Sequence, residues 1–264
     1  MRRTLPVGHL GCGPVTPRAD EPFRPTLRRS VRLLREFRYE QPDPARFYTA
    51  LAQDSAAQLG HYTDLAGRVL LDVGGGPGYF RDAFTAAGAT YLALDADAGE
   101  LAGMGEIAVG TMIGSGMRLP VRTGAVDVCY SSNVLEHVPE PWQMAAEMVR
   151  VTKPGGLVFL SWTTWYGPWG GHETAPWHYL GGYWARQRYA RTHGHQPKNK
   201  YGESLFGVTV REGLDWARAV GRTGEVDVVE VTPRYNPSWS RWLLRVPGLR
   251  ELVTWNLVLV LRKR

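Results

Sequence analysis

Apolar positions along the chain change their period more than once. Leu27, Val31, Leu34 and Phe37 recur at helical spacing among Arg28, Arg29, Arg32, Arg35 and Arg38, which predicts an arginine-rich amphipathic helix from Thr26. Asp43 followed by Pro44 marks the start of a second helix that runs to near Gly60. From residue 69 onward, short apolar runs alternate with helical stretches. Strands are expected over 69–73, 91–94, 109–113, 126–131 and 157–162, with helices over 79–87 and 141–151. Gly88 closes the first of these helices, and Pro154-Gly155-Gly156 follows the second. Thr209 and Glu212 form a capping-box pattern that opens a helix through Val220, and strands over 225–231 and 255–261 complete the set. Strands separated by helices of this length read as parallel βαβ units, hence an α/β, doubly wound sheet of seven strands.

Three stretches stand outside that rhythm. Residues 1–25 are rich in Pro, Gly and Arg, lack periodicity and read as a flexible leader. Pro6, Gly8, Gly11 and Gly13 interrupt them before any apolar core of a signal peptide forms, so none is expected. Residues 163–208 hold many Gly, Trp, His and Tyr residues and read as an inserted lid facing the substrate. Residues 237–253 carry Trp242, Leu243, Leu244, Val246, Leu249, Leu252 and Val253 with arginines between. They suit an amphipathic helix packed on the sheet, or a surface that rests on a membrane and admits a lipid-like substrate. The N-terminal helices, 26–62, are expected to cover the site, and 63–264 to form the catalytic domain around the insert.

With 264 residues, 44% of them hydrophobic, the chain can bury a full core. Its two cysteines, Cys12 and Cys129, supply neither a disulfide framework nor a metal quartet, which fits a reducing, cytoplasmic setting. The net charge of +6 permits acidic partners without specifying one.

The candidate chemistry concentrates in Asp72-Val73-Gly74-Gly75-Gly76-Pro77-Gly78, directly after a strand and before a helix. Glycines at the carboxyl end of a strand let the backbone turn and approach a ligand closely. The dinucleotide fingerprint G-x-G-x-x-G would need its last glycine where Tyr79 stands, and no Gly-Lys-Ser/Thr follows, so a pyrophosphate site is disfavoured. Asp72 would repel a phosphate but suits an ammonium group. Asp95, at the end of the second strand, suits the two hydroxyls of a ribose. A nucleoside with a cationic amino-acid tail, S-adenosylmethionine, meets both demands.

At these residues the sequence resembles the class I S-adenosylmethionine-dependent methyltransferases. It is similar in particular to a small-molecule branch that includes the ubiquinone and menaquinone biosynthesis enzymes. The resemblance implies a Rossmann-like sheet with its last strand antiparallel. It also implies that Asp72, Gly74, Gly75, Gly76 and Gly78 form the first cofactor motif and Leu94-Asp95-Ala96 the second. Gly114-Ser115-Gly116-Met117-Arg118-Leu119-Pro120 resembles the adenine-contacting segment, with Ser115 where that family has an acidic residue. Ser132 and Asn133 fall in the loop after the fourth strand, which in the family passes the transferring methyl. The chain also resembles actinobacterial methyltransferases that share its Phe-Arg-Tyr-Glu (37–40), Gly-Gly-His-Glu (170–173) and Ser-Leu-Phe (204–206) segments.

Methyl transfer is an in-line displacement whose main demand is alignment, and a base is needed only where the acceptor loses a proton. His137, after the fourth strand, and His172, Glu173 and His178, in the insert, are the candidates for that base. His193 and His195 flank Gly194 without a third ligand at recognisable spacing, so no metal is expected. The expected acceptor is a small or lipid-like molecule, with peripheral membrane contact open. A nucleic-acid acceptor is the alternative, against which the loop Ser131-Ser132-Asn133-Val134 lacks the Asn/Asp-Pro-Pro-aromatic sequence of amino-methylating enzymes. A non-catalytic cofactor-binding regulator is the other alternative.

Overall fold

The computed structural model describes residues 23, 25–40, 42–101 and 109–264, so nearly all of the proposed leader lies outside the described residues. The chain runs α1 (Leu27–Phe37), α2 (Pro44–Gly60), β1 (Val69–Val73), α3 (Arg81–Ala86), β2 (Thr90–Asp95), α4 (Ala98–Leu101), β3 (Thr111–Ile113) and β4 (Val126–Ser132). It continues through α5 (Pro141–Val151), β5 (Thr152–Thr163), α6 (Gly182–His193), α7 (Val210–Arg222), β6 (Val226–Pro233), α8 (Leu249–Val253) and β7 (Asn256–Lys263). The helix starts follow their sequence signals. Asp43 caps α2 with Pro44 in the first turn, and Thr209 and Glu212 close a reciprocal capping box on α7.

The seven strands form one sheet in the order β3-β2-β1-β4-β5-β7-β6. The first five strands pair in parallel, and β7 runs antiparallel to both β5 and β6. Each central strand is apolar on both faces because both are covered. Leu71, Val73, Val158, Leu160, Leu257 and Leu259 pack on one side with α5 and α7. Leu70, Tyr91, Val128, Tyr130, Phe159 and Val258 pack on the other with α2 and α3. The chain reverses direction of travel between β1 and β4, so a crevice opens at their carboxyl ends, where α/β sheets bind ligands.

Two expectations are corrected. Residues 237–253 do not form one helix: a 3₁₀ segment, Ser238–Arg245, is separated from α8 by Pro247 and Gly248, whose φ of 78° no right-handed helix accommodates. Trp239 and Trp242 of that segment are exposed, at 68% and 53%, rather than packed on the sheet. Strand β5 begins earlier than expected. Thr152 already pairs with Val126, and the Pro-Gly-Gly kink is carried inside the strand as a register shift. Among the described residues no helix is long and apolar enough to cross a membrane.

A buried ion pair fixes the N-terminal helices to the sheet. Arg29 of α1 donates through Nε and Nη2 to both oxygens of Asp54 on α2, at 2.8 and 2.5 Å, and through Nη1 to the Arg234 carbonyl at 2.6 Å. Both side chains are more than nine-tenths buried. Replacing Asp54 with alanine leaves the Arg29 guanidinium buried without a counter-charge. A loss of about 3–5 kcal/mol in unfolding free energy is expected in urea denaturation, with α1 becoming the first segment cut in limited proteolysis.

Candidate active site

The glycine bend after β1 is built around two carboxylates. Gly74 and Gly75 both donate to the Leu94 carbonyl at the end of β2, at 2.7 and 3.3 Å, which folds the bend over the neighbouring strand. Gly74, Gly76 and Gly78 take φ values of 80°, 47° and 88°, a region a side chain disfavours. A Cβ on Gly74 would also stand 2.3 Å from Val134 in the loop after β4, so the two cofactor loops meet there. By contrast, a Cβ on Gly76 or Gly78 would meet nothing within 4 Å, which leaves their backbone open to a ligand.

Asp72, on β1, is buried and accepts 2.7 Å from the Tyr91 hydroxyl. Burial, against the help of that hydroxyl, raises its pKa to about 7, and Asp95 adds to the rise. A buried carboxylate held so weakly fits an ammonium partner. Asp95 accepts 3.0 Å from Gly76 N on one oxygen and 3.0 Å from Asp97 N on the other, so it braces the bend while keeping further lone pairs for a diol. Ala96 follows it, exposed. The residues present therefore fit the nucleoside that the resemblance implies.

The third predicted segment is placed beside them by packing. A Cβ on Gly116 would stand 3.0 Å from Met144 Sδ and 3.2 Å from Val73, so that glycine lets the turn press on α5 and β1. Ser115 is exposed, and its hydroxyl accepts 3.2 Å from Met117 N, the turn-closing role of a short polar side chain. Met117 packs on the core. Ser132 points to the interior, accepting 2.6 Å from Arg234. Asn133 has φ 57°, donates from its backbone to the Ser161 carbonyl and accepts 2.6 Å from the Asn256 side-chain amide.

Asn133 also lines an apolar cleft with Leu33, Leu34, Phe37 and Glu40 of the α1 region, Phe47, Thr163, Trp169, Tyr235 and Trp255. Glu40 escaped the sequence reading. Burial and the nearby Glu173 raise its carboxyl pKa, against a hydrogen bond from Tyr48 and the charge of Lys198. Tyr48 stacks on Tyr79 of the glycine loop at 5.1 Å, so α2 links the cleft to the cofactor bend. The Phe-Arg-Tyr-Glu segment carried the only signal for Glu40, and it is local to a helix end that the chain brings across the sheet.

The base candidates separate. Glu173 is exposed and accepts from Asn199 N at 3.4 Å and Asn199 Nδ2 at 3.0 Å, so it orders the insert and biases Glu40 from a distance. His178 is buried against the rings of Trp165 and Tyr179, beneath Gly171. His137 and His172 come together, ring centroids 5.1 Å apart, beside the buried Glu136. Burial, with His137 and His178 nearby, lowers the His172 pKa to about 3, so it is neutral at physiological pH. Among the described residues, Glu136, His137 and His172 present ligand atoms all within 4.8 Å of one another. Local spacing could not show this, because His172 arrives from the insert. His193 and His195 remain exposed beside Tyr189.

A cationic ligand that draws the proton from Asp72 binds with a fixed sign of pH dependence. The unliganded pKa is about 7 and falls in the complex, so affinity rises with pH towards a plateau above 7 and declines below it. Asp72→Asn should weaken S-adenosylmethionine binding by at least tenfold in calorimetry and flatten that pH profile. The same variant should unfold at higher temperature at pH 8, because it removes a charge whose burial disfavours folding above its native pKa.

Comparison with known proteins follows the same line. Residues 71–160 match a family described as a methyltransferase domain. The chain is 55% identical over 249 residues to an uncharacterised methyltransferase of Mycobacterium avium, covering 90% of this chain and 96% of that one. It is 54% identical over 248 residues to one from Mycobacterium tuberculosis H37Rv, with 90% and 96% covered. A solved S-adenosylmethionine-dependent methyltransferase from Mesorhizobium loti shares the fold at 20% identity and a TM-score of 0.53, over 80% of this chain and 98% of that one. With a carboxylate on each side of its glycine bend and relatives matched over nearly their whole length, the chain belongs to the class I S-adenosylmethionine-dependent methyltransferases.

Proposed function

We propose that the acceptor is lipid-like and enters the cleft between α1, α2 and the loop after β4. The observation that carries this reading is the lining itself: Leu33, Leu34, Phe37, Phe47, Trp169 and Trp255 surround a narrow cleft of about 60 Å³ with few polar groups. That lining suits an apolar group oriented by a small number of polar contacts. Glu40, Asn133 and Thr163 supply them.

The mouth supports the same reading. Leu34 both lines the cleft and continues an exposed row with Leu27 and Val31 on α1. Ser238 N donates 2.7 Å to the Pro25 carbonyl, which ties the start of α1 to the segment bearing exposed Trp239 and Trp242. Arginines 28, 32 and 35 on α1 and 241 and 245 beyond Trp239 share these elements. Exposed Trp and Leu among arginines suit the interface of an anionic membrane.

The sulfonium cofactor brings an activated methyl and its own leaving group. The chain's part is to align the acceptor against it and keep water out. Glu40, with its raised carboxyl pKa, is the group in the cleft able to take a proton from a hydroxyl or similar acceptor.

A labelled methyl-transfer screen against fractionated lipids, small metabolites and RNA tests the reading. Label is expected in the lipid fraction, and label confined to RNA or to polar metabolites would sink it. With an acceptor in hand, Phe37→Ala should raise its KM roughly tenfold and Glu40→Gln should lower kcat by about 10²–10⁴, both without change in cofactor affinity. The double change Trp239→Ala, Trp242→Ala should leave the protein in the supernatant when anionic liposomes are sedimented.

A further inference from the structure

Behind the Thr163 wall of the cleft stand three side chains that the methyl-transfer geometry does not use. Glu136 is 1% exposed. One of its oxygens accepts 2.8 Å from Thr163 N, while the other is buried without a hydrogen-bond partner among the described residues. His137 meets the Ser204 carbonyl with Nδ1 at 2.7 Å. A carbonyl only accepts, so Nδ1 carries the proton and Nε2 carries the lone pair. His172 Nε2 is likewise buried without a partner. Its backbone φ is 47°, uncommon for a residue with a side chain. Asn133 is the other non-glycine residue so placed among the described residues, and it lines the cleft.

Buried polar atoms without partners need an explanation, and here two of them belong to side chains whose ligand atoms cluster with one of His137 within 4.8 Å. We infer that Glu136, His137 and His172 form a binding site for a divalent transition metal of the zinc class. The donor set, two imidazoles and a carboxylate, is one that zinc takes with a further position left for water or substrate. Tetrahedral zinc holds its ligand atoms about 3.4 Å apart, so the present spread of up to 4.8 Å closes with small side-chain rotations. The ligands are already braced from outside, Glu136 by the Thr163 amide and His137 by the Ser204 carbonyl, as metal ligands generally are. Backbone strain at His172 points the same way, because strained residues persist where function over-determines them. Gly170 and Gly171 permit that conformation. A Cβ on Gly170 would stand 2.0 Å from the Trp165 carbonyl and one on Gly171 2.5 Å from the His178 ring.

A hydrogen-bonded cluster without metal is the competing account. There His172 Nε2–H would turn to donate to the free Glu136 oxygen, and metal uptake separates the two accounts. Metal binding at this site does not depend on the acceptor reading.

The test is a titration of the full chain, stripped with chelator, with Zn²⁺ and separately with Mg²⁺, followed by calorimetry. Co²⁺ absorption serves as a second readout. One equivalent of Zn²⁺ is expected, with no uptake of Mg²⁺ at the same concentrations and visible Co²⁺ bands of four-coordinate character. His172→Asn, chosen because asparagine tolerates the positive φ, and Glu136→Gln, which keeps the Thr163 contact, should each weaken Zn²⁺ at least about tenfold. Both variants should still bind S-adenosylmethionine, which shows that they fold. His193→Ala with His195→Ala should leave uptake unchanged. Failure of the wild-type chain to bind Zn²⁺, equal binding by the His172 and Glu136 variants, or loss of uptake with the His193 and His195 pair would each overturn the site.

Discussion

Arg234 sits fully buried just past the end of β6, with no ion pair to a carboxylate among the described residues. Its guanidinium donates to Ser132 and Ser161 at 2.6 and 2.8 Å, to Ser55 at 2.7 Å and to the Tyr130 hydroxyl at 3.3 Å. Those four groups belong to β4, β5 and α2. Its backbone carbonyl receives Arg29, which in turn grips Asp54. One buried cation thus joins the strand that leads to Asn133, the strand that leads to Thr163, and both N-terminal helices. Burying a charge against neutral hydroxyls costs several kcal/mol relative to water. That cost is met only if every hydroxyl stays in place, so the network resists sliding between the sheet and its covering helices. The cofactor end and the apolar cleft are therefore held in one frame.

Much of the platform could be read from the chain, because its signals are local. Asp72, the glycines and Asp95 occur within a strand, a turn and a strand, and the periods of apolar residues fix which end of the sheet they occupy. Capping residues at Thr209 and Asp43 mark helix starts for the same reason. The site's remaining parts depend on contacts far apart in sequence, where no period or spacing helps. Arg29 meets a carbonyl at 234, and His137 meets one at 204. Arg234 carried no local pattern to single it out, and Glu40 only its place in the Phe-Arg-Tyr-Glu segment. Glu173 follows His172 in sequence, yet the positive φ of His172 and the 3₁₀ turn that starts there send the two side chains apart. In the same way Pro247 and Gly248 divide a segment whose apolar spacing suggested one helix.

The three short segments 37–40, 170–173 and 204–206 acquire a common physical meaning. Phe37 packs edge-on to Trp169 at 5.2 Å, one residue before Gly170. His172 reaches His137, and the Ser204 carbonyl holds that histidine while Phe206 N donates 2.7 Å to the Glu136 carbonyl. Spread between residues 37 and 206, they close around the loop after β4.

Such convergence places a constraint on how the insert can vary. Trp169 walls the cleft, His172 stands against Glu136 and His137, and 204–206 fix the orientation of that same histidine. A change that reshapes the cleft at Trp169 shifts the two glycines beside it, and those glycines have no room for a side chain. The cleft wall at Trp169 and the position of His172 are therefore tied to each other. A class I platform can keep its cofactor chemistry while loops alter, but here the cleft wall and the polar cluster behind it are coupled through one turn at 170–172.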